Sequence, residues 1–172
     1  AVMSYHASFD TPVIIPRVFN NYGPRQSERA IIPTIIAQAL SRAKSIRLGN
    51  LETSRDFVYV EDTCRMLCEL VQKQEQFLGT TVNIGTGSRY SIGDVANVIL
   101  SMLNVECEIE IDPERVRPSA SEVNNLECDN SMLSEILGPV KWTSLEDGLQ
   151  KTIQWMEQRS GADSRDKSQY VV

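Results

Sequence analysis

Val13, Ile14 and Ile15 form an uninterrupted apolar run. It leads through Pro16–Phe19 into Asn20, Asn21, Tyr22, Gly23 and Pro24, a polar segment with turn chemistry. A strand without polar alternation is the pattern of one covered on both faces, as in the middle of a parallel sheet. Parallel strands need crossover connections, usually helices, so this one feature narrows the chain to an α/β fold. The run stands almost at the start of a 172-residue chain, which raises the question of where the rest of its sheet lies.

Helical patterns alternate with further strands. Ala1–Phe9 reads as the end of a helix, stopped by Asp10, Thr11 and Pro12. Ile32, Ile35, Ile36, Ala39 and Leu40 lie on one helix face, and Pro33 fits the first turn. Ser45–Leu48 reads as a short strand ending at Gly49 and Asn50, and Phe57–Val60 as extended. Glu61 and Asp62 suit the start of a helix whose buried face is Thr63, Met66, Leu67, Leu70 and Val71, with Asp62 read as a cap. Val82–Ile84 leads into Gly85 and Gly87 as a second strand-to-turn signal. Ser91 and Asp94 then resemble a capping box before Ile92, Val95, Ile99 and Leu103. Val105, Cys107, Ile109 and Ile111 alternate with three glutamates, predicting a half-exposed strand with the apolar set inward. Met132–Leu137 reads as a short helix closed by Gly138, and Leu145–Gln158 as a last helix capped by Ser144 and Asp147. The polar segment from Arg159 lacks periodicity and reads as a mobile tail. Only two segments, Pro12–Val18 and Val82–Ile84, read as inner strands. Two do not make a doubly wound sheet, so the chain reads as part of a larger fold.

Net charge of −6 argues against nucleic-acid binding through a basic surface, while leaving room for a local arginine cluster around one phosphorylated ligand. No apolar run approaches the ~20 residues of a membrane span, so neither nucleic acid nor membrane is an expected partner. Cys64, Cys68, Cys107 and Cys128 form no CxxC pair, and His6 is the only histidine. The thiols read as buried, in a reducing cytoplasm, with no metal site expected.

Six segments carry a resemblance: RVFNNYGPRQ (Arg17–Gln26), IIPTIIAQAL (Ile31–Leu40), LGNLETSRDFVYVED (Leu48–Asp62), VNIGTGSRYSIGDV (Val82–Val95), RVRPSASEV (Arg115–Val123) and DNSMLSEILG (Asp129–Gly138). In this order and spacing they resemble the extended short-chain dehydrogenase/reductase family, in particular its nucleotide-sugar 4,6-dehydratases and epimerases. The resemblance implies the C-terminal portion of a Rossmann-type enzyme: late sheet strands plus the small α/β substrate-binding domain. It implies a remnant of the dinucleotide-binding domain at 1–24 and a substrate-binding domain at 25–158, with 57–87 packing back on the Rossmann sheet and a tail at 159–172. Relatives begin with a GxxGxxG fingerprint and carry a YxxxK pair that removes a proton from the sugar. Neither pattern occurs in these 172 residues, so the resemblance implies a chain that is not catalytic alone, with no catalytic residue named in it.

The same resemblance assigns binding positions. Val18 and Phe19 match residues lining the nicotinamide of NAD or NADP in the complete enzyme; this chain alone is expected to bind neither. Asn20 matches an asparagine that hydrogen-bonds the diphosphate of a nucleotide sugar, and Arg55 and Arg117 match phosphate- or ribose-binding arginines; two guanidiniums can grip a diphosphate through charge-assisted bonds. Ala30, Ile31, Ile46, Leu48 and Ile92 match an apolar slot around base and ribose, although Ile31 and Ile92 equally fit helix faces. Ser121 and Glu122 match positions near ribose or sugar hydroxyls. Arg29, Arg47 and Arg115 read as solvent charges. The alternative is a stand-alone, non-catalytic binding or oligomerisation module derived from the family. A bare inner strand would expose unpaired backbone, so a homo-oligomer is expected.

Overall fold

The structure is a computed structural model that describes the backbone of residues 1–116 and 122–166, with side chains through Arg159. In chain order the elements are α1 (Val2–Phe9), β1 (Ile14–Val18), β2 (Asn20–Tyr22), α2 (Ile31–Leu40), β3 (Ser45–Leu48), β4 (Ser54–Arg55), β5 (Phe57–Tyr59) and α3 (Val60–Gln72). They continue with β6 (Thr80–Ile84), β7 (Tyr90–Ser91), α4 (Ile92–Leu103), β8 (Glu108–Ile111), β9 (Asn125–Leu126), α5 (Ser131–Leu137) and α6 (Leu145–Asp166). The alternation read from the sequence is therefore present. The last helix extends to Asp166, beyond the Gln158 at which the sequence reading ends it.

The chain forms two compact units. The first comprises Ala1–Asn21, Arg55–Arg89 and Leu126–Thr143. Its strands β1 and β6 pair in parallel, Ile14 opposite Thr80 through Val18 opposite Ile84. Met66, Leu70, Phe77, Val82, Ile84 and Leu133 are its buried core, with Ile14, Ile136 and Trp142 packed against them. Helix α1 ends at Asp10, whose φ of 54° places it in the left-handed region, and Pro12 follows.

Two expectations about this unit are corrected. Strand β1 is not covered on both faces: Ile14 and Ile15 are half-buried, and Pro16, Arg17 and Val18 are exposed. Among the described residues its one strand neighbour is β6, with α3 packed against it. In α3 the buried positions are Asp62, Thr63, Met66 and Leu70. At ~100° per residue this arc leaves 64, 67, 68 and 71 on the opposite side. Leu67 and Val71 are accordingly 37% and 69% exposed. Cys64 and Cys68 are exposed too, not buried as the sequence suggested; of the four thiols only Cys128 is fully buried.

The second unit comprises Tyr22–Ser54, Tyr90–Asn125 and Ser144–Val172. Strands β3 and β8 pair in parallel, Ser45 opposite Glu108 through Leu48 opposite Ile111. Helices α2, α4 and α6 pack on one another, burying Ile32, Ile35, Ile36, Val95, Ile99, Leu149 and Ile153. The capping box is real: the Ser91 hydroxyl accepts the Asp94 N–H at 3.0 Å, and the Asp94 carboxylate accepts the Ser91 N–H at 3.4 Å. The inward set on β8 is corrected at its end. Ile111 is 60% exposed because the strand stops there, while its neighbour Leu48 fills the core. Tyr22 is enclosed, and its hydroxyl donates to the Leu145 carbonyl at 3.3 Å.

Candidate functional site

The best-defined polar centre lies in the first unit and is built on Asp56. This residue follows Arg55 and opens the apolar strand β5, and its side chain is fully enclosed. Oδ1 accepts the Thr86 N–H at 3.0 Å and the Thr86 hydroxyl at 2.7 Å. Oδ2 accepts the Gly87 N–H at 2.9 Å and the Cys128 N–H at 3.3 Å. A buried carboxylate is tolerated only when its lone pairs are satisfied in this way. Glycine is needed in the loop it holds. Gly87 has φ +74°, and a Cβ on Gly85 would stand 2.2 Å from the Cys128 Cβ. Burial, Asp56 and Asp129 together push the Cys128 thiol up to about 12, so it stays protonated.

The backbone of Asp56 positions Asn20. Its carbonyl accepts both the Asn20 N–H at 3.2 Å and the Asn20 Nδ2–H at 3.3 Å. The preceding residue is held from β6, where the Phe19 N–H donates to the Ile84 carbonyl at 2.9 Å. The next is held from α3, where the Thr63 hydroxyl donates to Asn21 Oδ1 at 2.7 Å. Three consecutive residues after β1 are thus fixed by three different segments. Val18, Phe19 and Asn20, together with Arg17 and Leu126, line one open depression. Arg17 and Leu126 were not singled out from the sequence. Arg17 alone carried a signal, as a cation on a strand otherwise apolar up to Val18.

Asp62, read from the sequence as a helix cap, has a different task. Tyr59 precedes the first turn of α3 without a side-chain cap. The buried Asp62 carboxylate accepts the Thr143 N–H at 2.7 Å and pairs with Arg65, which also donates to the Lys141 carbonyl. It ties residues 141–143 to α3.

The remaining binding positions named from the sequence, as far as they are described, lie in the second unit, Arg55 excepted. Ala30 precedes α2 in extended conformation, Ile31 is its first residue, and both are half-buried. Ile46 and Leu48 are fully enclosed on β3. Ile92, buried, opens α4, and its N–H donates to the Thr53 carbonyl at 3.0 Å. Glu122 is half-buried. Arg117 and Ser121 lie outside the described residues. The structure thus brings Asn20 against the residue following Arg55 in one unit, while the five apolar positions lie in the other. Arg47 and Arg115 are exposed and paired with Glu110 at 3.5 Å and Asp112 at 3.2 Å. A second hollow, lined by Gly23, Pro33, Trp155 and Met156, contains none of the binding residues named from the sequence.

A parallel-stranded α/β unit, with a depression at the end of its strand β1 and a glycine loop after β6, matches the Rossmann-type architecture of the solved epimerases and dehydratases on which the chain superposes. The family model described as GDP-mannose 4,6 dehydratase matches residues 1–152, and the chain belongs to that family. It is 30% identical over 152 residues to the uncharacterized UDP-glucose epimerase YtcB of Bacillus subtilis, covering 88% of this chain and 46% of that protein. It is 29% identical over 167 residues to the dTDP-glucose 4,6-dehydratase of Neisseria gonorrhoeae, covering 90% and 46%. The crystal structure of UDP-glucuronic acid 4-epimerase from Bacillus cereus, in complex with UDP-glucuronic acid and NAD, superposes with a TM-score of 0.82 at 27% identity, covering 91% of this chain and 48% of that one. The chain thus spans about half the length of these relatives. Among the described residues no helix is long and apolar enough to cross a membrane.

Proposed function

We propose that this chain supplies the nucleotide-sugar pocket of an NAD(P)-dependent NDP-sugar 4,6-dehydratase or epimerase. The observation that carries the reading is the depression lined by Val18, Phe19 and Asn20, with Asn20 held by the residue that follows Arg55. Val18 and Phe19 offer apolar surface suited to one side of a flat nicotinamide ring; bound NAD(P) would exchange hydride with the sugar there. Asn20, Arg55 and Arg117 take the diphosphate. Ala30 and Ile31, half-buried at the start of α2, offer apolar surface to the base and ribose, with Ile92 at the start of α4, and Ser121 and Glu122 reach hydroxyls; Ile46 and Leu48, fully enclosed, serve as core and touch no ligand. No tyrosine in the sequence is followed four residues on by lysine, so these residues bind and orient while proton abstraction falls to groups outside them. The four free cysteines fit a reducing, cytoplasmic setting.

Calorimetric titration of the chain with UDP-, GDP- and dTDP-sugars tests the reading. One of the three is expected to bind, the affinity is expected to fall in Arg55→Ala, and NAD alone is expected to bind little. Absence of binding to all three, or binding unaffected by Arg55→Ala, overturns it. Homo-oligomerisation belongs to the same proposal and is favoured by helix α1, where the exposed Tyr5 and Phe9 rings lie 5.7 Å apart, tilted by 41°. A monodisperse monomer in light scattering would count against that part.

A further inference from the structure

Free cysteine is among the most frequently buried residue types, yet α3 buries Met66 and Leu70 and turns two thiols outward. Cys64 and Cys68 are four residues apart on that helix, so their Cβ atoms are about 5–6 Å from each other on one face. Leu67 and Val71 flank them on the same exposed side, away from the core of the first unit.

We propose that Cys64 and Cys68 form a two-thiolate clasp for a soft, two-coordinate d10 cation such as copper(I). Donor number selects the ion. Among the described residues no group of three or more His, Cys, Asp or Glu side chains could hold a metal, which leaves the tetrahedral requirement of structural zinc unmet. Thiolates prefer soft ions, and linear two-sulfur coordination satisfies copper(I) without a third ligand. The span fits as well. With metal–sulfur bonds of about 2.3 Å, as for zinc thiolates, the two sulfurs stand ~4.6 Å apart. Side chains rooted 5–6 Å apart reach that by leaning together.

The surroundings favour a cation. Helix α3 carries Glu61, exposed, and Glu69, half-buried, while its one arginine, Arg65, is engaged by the buried Asp62 and the Lys141 carbonyl. Binding replaces two S–H bonds by two S–Cu bonds and releases two protons to solvent. Copper stays in the +1 state, so no oxidant or reductant is consumed. The other thiols are poor competitors: Cys107 is half-buried and Cys128 is enclosed.

The test titrates the reduced chain anaerobically with copper(I) against a chromogenic chelator, followed by alkylation and mass mapping. One equivalent is expected to bind and to protect Cys64 and Cys68 together. Cys64→Ser and Cys68→Ser should each weaken binding by about 10²–10⁴-fold, because the second thiolate no longer acts at high effective concentration. Cys107→Ser should bind as the parent does. Both exposed variants should keep the parent's circular dichroism. Single-serine variants with parent affinity, or protection that falls on Cys107 at one equivalent, overturn the proposal.

Discussion

Replacing Asp56 by alanine should remove the strongest polar tie in the first unit. The substitution strips an acceptor from three backbone donors, the N–H groups of Thr86, Gly87 and Cys128, and from the Thr86 hydroxyl. Each buried donor left without a partner costs about 1–3 kcal/mol. Simple addition overshoots, because the loop can relax and water can enter. Breaking a buried charged network by removing one side costs about 3–5 kcal/mol, so a loss near 4 kcal/mol is expected. Asp56→Asn keeps one carbonyl oxygen but turns an NH2 group toward N–H donors; about half that loss, ~2 kcal/mol, is expected. Trp142 packs against the first unit's core and Trp155 lies in the second unit. Urea unfolding in a Trp155→Phe background therefore reports on the unit concerned. With a slope of about 2 kcal/mol per molar, the midpoint should move down by ~2 M for alanine and ~1 M for asparagine. A shift under ~0.5 M for Asp56→Ala, or asparagine worse than alanine, would refute the account of Asp56 as the hub of the 85–87 loop.

Two further outcomes are expected. Gly148→Ala places a methyl 2.1 Å from the hydroxyl of the enclosed Tyr22; the overpacking should cost about 1–3 kcal/mol despite alanine's better helix propensity, and Tyr22→Phe in the same chain should restore part of it, both read by thermal unfolding. Native Cys128 should resist thiol reagents that label Cys64 and Cys68, reacting only on unfolding. Its raised value means that the fold holds the proton more tightly than the open chain. Its stabilising effect is complete below pH 9 and declines as pH climbs from about 9 to 12, and unfolding midpoints across that window check the direction.

Periodicity and caps made the elements legible before any coordinates. The Ile32–Leu40 face, the Ser91–Asp94 box and the Val82–Ile84 strand all depend on residues within one turn or one pleat of each other. The errors came where long-range contact decides. Cys64, Cys68, Leu67 and Val71 look like core by composition, but the rotation of α3 is set by Met66 and Leu70 packing on Phe77, Val82 and Leu133. Nothing local to α3 records that choice. Asp56 carries no site role in the sequence reading, because an acidic residue beside an arginine suggests a surface pair. The cue in hindsight was its place at the head of the wholly buried Phe57–Tyr59 strand. Asp62 misled in the same way, since a carboxylate in a first turn looks like a cap whether or not a distant N–H claims it.

The geometry at Asn20 limits what that residue can contribute to a diphosphate. One of its two amide hydrogens is committed to the Asp56 carbonyl, leaving one donor and the acceptor Oδ1. Phosphate oxygens only accept, so Asn20 can give a diphosphate a single hydrogen bond, and from an open depression where water competes for it. Asn20→Ala should then weaken sugar-nucleotide binding by about 1 kcal/mol, roughly fivefold. The charge-bearing grip must come from arginine, so Arg55→Ala should cost more. Asn20→Asp discriminates further, because it sets a carboxylate against both the Asp56 carbonyl and the ligand's own negative charge. The expected order of affinity is parent, then alanine, then aspartate, measured at one salt concentration by calorimetry. Aspartate binding as tightly as alanine would mean that the Asn20 side chain does not face the diphosphate, and its place in the pocket would have to be reassigned to a hydroxyl-bearing part of the ligand.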